Sequence, residues 1–284
     1  MLLLALVAGC GGSAPKGPPA LLFVSTKDGD YAIFGADARG KHVRRLTKER
    51  GNPSSPKELF FQLEPAWSPS GNKIAFASLR SGTSHIYVMH ADGTGTRQLT
   101  RGKQDDDHPS WSPDGRRLVF AREGALFVVP AAGGQARRVG RGPGDAADPA
   151  WSPDGRLIAY DYRRPGYANR ELYVMRADGT GIRQLTRLGQ VSGYPAWSPD
   201  GRRIAFQSNA RFGRYQIYTI RADGTGLRQV TRSLGDIIQP AWSPSGEIAF
   251  SRDGEIWIDD EGTETKLTST GNDSAPAWRP VRPQ

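Results

Sequence analysis

Four histidines, a run of three aspartates and one cysteine are the residues of this chain with the most obvious chemical reach. His42, His85, His90 and His108 fall on separate segments, and none of their spacings matches a zinc pattern. The sequence has no Gly-x-Ser-x-Gly elbow, so it offers no assembled nucleophile. The densest ionisable stretch is Asp105, Asp106, Asp107 and His108, with Asp148 forty residues further on. A divalent cation is one use for such a group, and an acidic cup for a basic peptide is another. A solvated loop cluster is the plainer reading. The expected cofactor is none, with a channel-mouth divalent cation as the alternative. A second kind of chemistry is recognition. Tyr162, Arg163, Arg164 and Tyr167 form one aromatic and arginine cluster, and Arg211, Phe212, Arg214 and Tyr215 form another. These residue types anchor protein interfaces.

A repeat runs through the chain and must position these residues. Pro65-Ala66-Trp67-Ser68-Pro69 recurs around Trp111, Trp151, Trp197 and Trp242, and a shortened copy, Pro276-Ala277-Trp278, closes the chain. The tryptophans are separated by 44, 40, 46, 45 and 36 residues, the period of a four-stranded propeller blade. Within one unit, residues 73–78, 86–89 and 97–100 alternate apolar and polar side chains, as half-buried strands do. Ser-Pro-Asp-Gly makes the turn between the first and second strands. Asp-Gly-Thr-Gly makes the turn between the third and fourth, with Asp37, Asp92, Asp178 and Asp223 as turn formers. The prediction is an all-β fold, a six-bladed propeller over residues 21–280.

The ends are complementary. Residues 21–47 contain three strands with no tryptophan motif before them, and the last motif has no strands after it. The C-terminal strand is therefore expected to become the innermost strand of the blade that the N-terminus begins, which closes the ring and leaves no free sheet edge. The repeat tryptophans and Trp257 are expected to pack between blades. Loops between the second and third strands and between blades should share one face and carry the variation in length. The residues just before each inner-strand proline, Glu64, His108, Asp148, Tyr194, Gln239 and Ala275, should ring the mouth of the central channel, with Asp105, Asp106 and Asp107 adding acid there.

These repeats resemble those of the TolB-like propellers, the WD40-like (PD40) repeat family. The resemblance implies a fold shared by proteins with unrelated tasks. It also implies a periplasmic protein that binds envelope partners. TolB itself carries an extra N-terminal domain. Val7-Ala8-Gly9-Cys10 is similar to the bacterial lipobox, which implies a signal peptide over residues 1–9, acylation of Cys10 and a Gly/Pro-rich tether over residues 10–20. Nine apolar residues are too few to span a bilayer, so the lipid is the expected anchor to a bacterial membrane.

The formal charge of +9 is spread over the repeats, for example Arg97, Arg137, Arg138, Arg183 and Arg228 near the outermost strands. There it discourages edge-to-edge pairing. Without a stacking motif or a basic helix it does not point to nucleic acid. The expected function is a non-catalytic, monomeric interaction scaffold for an envelope protein or peptide. The alternatives are a metal-dependent glycan-acting or glycan-binding propeller and a regulatory propeller for a separate hydrolase.

Overall fold

The computed structural model describes residues 17–47, 64–140, 144–210 and 213–281. They form six four-stranded antiparallel sheets arranged as the blades of a propeller. The inner strands of blades 1 to 6 are Ala66–Trp67, Asp106–Trp111, Asp145–Trp151, Ser192–Trp197, Ile237–Trp242 and Asp273–Trp278. Blade 6 joins the two ends of the chain as expected. Its inner strand comes from the C-terminus and its other three are Leu21–Ser25, Ala32–Ala36 and Arg44–Arg45. Leu21 lies opposite Trp278 and Ser25 opposite Asp273.

The apolar residues divide into six clusters, and each cluster straddles two neighbouring blades. The one around Trp111, for example, joins Ala75, Ile86 and Leu99 of blade 1 to Leu118, Phe120 and Val129 of blade 2. No blade therefore has a core of its own, and the ring is stable only as a closed set. The tryptophans belong to these seams. The indole N–H groups of Trp111, Trp197 and Trp242 donate to the carbonyls of Ala66, Ala150 and Ala196 in the preceding blade, at 3.0–3.2 Å.

The turn chemistry follows from the side chains. Ser198 Oγ donates to Asp200 Oδ1 (2.6 Å) and accepts from Arg203 N (2.9 Å), so the serine of Ser-Pro-Asp-Gly locks its own turn. Asp178 Oδ1 accepts from Thr180 N at 2.8 Å, and Asp92 and Asp223 do the same in their blades. The glycine of that second turn has a further reason. Gly179 sits at φ +87°, and a Cβ there would lie 2.4 Å from the backbone nitrogen of Gly140 in the blade before. Gly93 is held in the same way, with a Cβ placed 2.4 Å from the carbonyl oxygen of Leu46, so in blades 1 and 3 this turn is wedged against the preceding blade and only glycine fits.

A column of threonines also repeats. Thr47, Thr100, Thr186, Thr231 and Thr268 each accept, through Oγ1, a backbone N–H from the third strand of their blade. The outer arginines do more than charge an edge. Arg97 donates to the carbonyls of Ala131 and Ala132, and Arg183 to those of Ala222 and Asp223, so each clamps the turn of the next blade.

Candidate functional site

The connections between first and second strands are five residues long in blades 1 to 5. On the opposite face, the second-to-third connections have two residues in blades 2 and 5, six in blades 1, 3 and 6, and seven in blade 4. Length variation is not confined to that face, however. The third-to-fourth turn shrinks to two residues in blade 5 and grows to seven in blade 6. The two short connections are the Glu123-Gly124 and Asp253-Gly254 turns of blades 2 and 5. Both turns are built from residues with φ of 46–73°, the tight hairpin geometry. They lie opposite each other across the ring.

Six residues converge on the channel at this face. Glu64, His108, Asp148, Tyr194, Gln239 and Ala275 all have positive φ, between 38° and 56°. Where the inner strand is fully paired, each sits in a β-bulge, as between Asp107 and Ser110 or between Ala147 and Ala150. The following proline disfavours the right-handed helical region, and the bulge turns the side chain inward. Holding non-glycine residues in this conformation costs of order 1–3 kcal/mol each, and such strain persists where the surroundings over-determine it.

The side chains of this ring connect successive blades. Glu64 Oε2 accepts from the backbone N–H of His108 (2.8 Å), Asp148 Oδ2 from that of Tyr194 (3.2 Å) and Gln239 Oε1 from that of Ala275 (3.0 Å). His108 Nε2 lies 2.8 Å from Asp148 Oδ1 and in ion-pair contact with Glu64 Oε1, and its ring meets Tyr194 edge-on at 5.6 Å. Tyr194 in turn hydrogen-bonds Gln239. Ala275 alone extends no polar side chain.

Burial pushes the Glu64 carboxyl up to about 7, against the attraction of His108. Burial also works against charge on His108, but Asp148 and then Glu64 outweigh it and hold the imidazole well above its ordinary range. Asp148 is held low because His108 outweighs its burial. Asp161, on the second strand beneath the bulge, is raised by burial and by the charge of Asp148, to which it hydrogen-bonds. Arg170 Nη1 donates to the other side of Asp161 (2.6 Å), Arg170 also pairs with Asp145, and Asp145 pairs with Arg163 at 2.8 Å. A chain of paired polar side chains thus runs from the second strand beneath the bulge to the rim of blade 3.

The aspartate run does not act as one acidic patch. Asp107 accepts from Ser84 Oγ (2.8 Å) and faces His108, with its carboxyl raised by burial. Asp105 accepts from Ser84 N (2.9 Å). Asp106 is fully buried on the other side of the strand and forms a two-point pair with Arg122, with His85 beside it at 3.4 Å. The expectation that all three add acid to the mouth is corrected, because alternate strand residues point opposite ways.

The recognition clusters are also sorted. Tyr162 is half-buried, packs against Tyr160 and Tyr173, and its hydroxyl accepts from Gly144 N at 3.0 Å, so it is tied into the seam between blades 2 and 3 while also lining a cleft with Arg164 and Tyr167. Arg164 and Tyr167 are exposed, Tyr167 at 60%, and the two stack at 5.7 Å. Arg214 is exposed, and the half-buried Tyr215 is fixed by its N–H donating to Asp236 at 2.8 Å. Arg211, Phe212 and Cys10 lie outside the described residues. The structure adds Asp161, Arg170 and Gln207, which accepts from Gln239 N at 2.8 Å, to the residues that the sequence singles out. The signal was present: Asp161 and Gln207 stand where the corresponding second-strand positions hold Ala77, Ala121 and Ser251.

Comparison with known proteins places this arrangement. The chain matches the family described as TolB beta propeller domain (PD40) over residues 60–160 and 121–282. It is 43% identical over 61 residues to the Tol-Pal system protein TolB of Gluconobacter oxydans, a match covering 22% of this chain and 13% of that protein. It is 30% identical over 70 residues to that of Desulfosudis oleivorans, covering 25% and 14%. In structure it is similar to TolB from Acinetobacter baumannii, with a TM-score of 0.77, 21% identity and coverage of 92% of this chain and 66% of that one. It is also similar to an oligogalacturonate lyase in complex with manganese, with a TM-score of 0.58, 18% identity and coverage of 90% and 74%. The structural likenesses show the fold, which serves proteins of different activity. With the family match running across residues 60–282 on these repeats, the chain belongs to the TolB β-propeller family.

Proposed function

We propose that this chain is a non-catalytic interaction scaffold of a bacterial cell envelope, engaging a protein partner through the face that carries the second-to-third loops. The observation that carries this reading is the division of labour between the faces. One presents first-to-second turns of a constant five residues in blades 1 to 5, with length changes only in the third-to-fourth turns of blades 5 and 6, and the other presents loops of two to seven residues with Tyr167, Arg164 and Arg214 exposed on them. Variable loops on a rigid scaffold are where recognition resides. The likeness to proteins named for the Tol-Pal system supports an envelope partner. Residues 7–10 support export and anchoring through a lipid on Cys10.

The polar channel residues support a structural part for themselves. Glu64 Oε2 and Asp148 Oδ2 are taken by backbone N–H groups, and His108 Nε2 faces the two remaining oxygens. A divalent cation would have to displace the imidazole from its carboxylates. The scaffold reading is tested by crosslinking pull-down from membranes. Wild type is compared with a variant carrying Arg164→Ala, Tyr167→Ala, Arg214→Ala and Tyr215→Ala, and with one carrying Asp114→Ala and Asp200→Ala on the uniform face. Capture of a discrete envelope protein by wild type and the second variant, lost in the first, is the expected result. Equal capture by all three overturns the assignment of the face, and a divalent metal that co-purifies stoichiometrically with wild type and is lost on His108→Ala overturns the non-catalytic reading.

A further inference from the structure

A cation seated over an aromatic ring of the third strand recurs around the propeller: Lys27 over Phe34 at 4.4 Å, Arg122 over Phe127 at 5.0 Å and Arg252 over Trp257 at 3.6 Å. In blades 2 and 5 this cation is neutralised, Arg122 by Asp106 and Arg252 by Glu264. Blade 3 differs. Arg164 Nε donates to the Tyr173 hydroxyl (3.0 Å) and Nη2 to Gln184 Oε1 (3.1 Å), both neutral acceptors, while Tyr167 stacks beside it. No carboxylate among the described residues pairs with it. Two of its five donors are thereby fixed and the guanidinium is held in place with its charge uncompensated.

Arg164 lines a cleft of about 220 Å³ together with Tyr167, Asn169 and Arg187. Arg187 is exposed and likewise has no ion-pair partner among the described residues. Glu171 is the acid in the lining, but it is buried. Its Oε1 accepts from Gly189 N at 2.8 Å and its Oε2 accepts from Thr186 Oγ1. Its charge is directed into the loop backbone rather than at either arginine.

We propose that this cleft at the outer edge of blade 3 docks an acidic peptide segment, with Arg164 and Arg187 receiving its carboxylates and Tyr167 covering its backbone. Guanidinium groups pair with carboxylates through two parallel hydrogen bonds, and a tyrosine adds contact area at small entropic cost. The volume admits a short run of side chains rather than a folded domain, so the occupant is an extended acidic stretch of a partner. This rests on the scaffold reading above and gives it a chemistry.

The repeat supplies its own control, since Arg101 and Arg232 occupy the same position as Arg187 after the threonines of blades 1 and 4 and are exposed. Fluorescence anisotropy with fluorescein-labelled hexaglutamate, in about 0.15 M salt to screen diffuse attraction, should give saturable binding that hexaglutamine lacks. The Arg164→Gln/Arg187→Gln variant should bind at least about tenfold more weakly, the scale of one lost charge-assisted pair. Arg101→Gln/Arg232→Gln, with the same change in net charge, should shift binding less than about twofold. Equal weakening by both variants would assign binding to the overall charge and overturn the proposal. So would hexaglutamate binding that Arg164→Gln/Arg187→Gln leaves unchanged, or that does not exceed hexaglutamine. In the membrane pull-down, capture of the partner by both wild type and Arg164→Gln/Arg187→Gln would remove the cleft but leave the scaffold reading. Failure of wild type to capture any partner would remove the scaffold itself.

Discussion

Replacing Glu64 with glutamine should change how the stability of the propeller depends on pH. Glu64 is buried at the channel mouth, and its carboxyl is raised from 4.5 to about 7. A carboxyl raised in the folded state keeps a proton that the unfolded chain has already released. Its ionisation therefore weakens the fold as pH rises from about 4.5 and levels off above about 7. Integrated from pH 5 to pH 8, that difference amounts to about 2.5 kcal/mol lost by wild type, at 1.36 kcal/mol per pKa unit. Glutamine cannot ionise, and its side-chain oxygen still accepts the His108 N–H. His108 is also raised, so it too loses stability with rising pH above its unfolded value of about 6.5. Glu64 is one of the two carboxylates that raise His108, so in the variant the imidazole is raised less and loses less stability, which acts on the gap in the same direction. Urea denaturation at half-unit pH steps reads the result. The gap in stability between Glu64→Gln and wild type should widen in favour of the variant by about 2.5 kcal/mol from pH 5 to pH 8. A gap that stays constant over that range, or narrows, would refute the reasoning that a buried, proton-holding carboxyl sits there.

Other outcomes follow from the seams. Gly179→Ala should cost more than about 2 kcal/mol, because the added Cβ meets Gly140 at 2.4 Å, whereas Gly166→Ala, at a similar φ of +80° with open space around it, should cost only about 1 kcal/mol; thermal melts of both separate crowding from backbone strain. Thr231→Val leaves the buried N–H of Ile217 without its acceptor and should cost about 1–3 kcal/mol by denaturant titration. Removing residues 273–284 deletes the inner strand of blade 6 and exposes the edge of Leu21–Ser25, so the truncated chain should lose its cooperative transition or aggregate, as seen by light scattering.

Much of the fold was legible because a propeller is a one-dimensional repeat. The tryptophan period gave the blades, the mismatch between the two ends gave the ring closure, and proline and glycine marked the turns. The pre-proline residues were legible as a ring because every blade aligns them. Their left-handed backbone was not, since a bulge arises from pairing with the second strand and leaves no residue-type signature in glutamate, tyrosine or glutamine. The split of Asp105, Asp106 and Asp107 depended on which strand residue faces the channel, a matter of register rather than composition. Tyr162 read as a face residue because it neighbours Arg163 in sequence, yet its half-burial is set by Gly144 of the adjoining segment. The Asp161 and Arg170 link to Asp148 escaped because it crosses between strands. The outer arginines looked like edge charge, since their carbonyl acceptors lie in a different blade.

The assignment of the loop face is tested most directly by site-specific photocrosslinking in cells. A benzophenone side chain placed at Tyr167 or Arg214 on the loop face should yield a discrete adduct with a partner protein. The same group at Asp114 or Asp200 on the uniform face should yield none. Adducts from Asp114 or Asp200, with none from Tyr167 and Arg214, would contradict the account and move the partner to the other face of the ring.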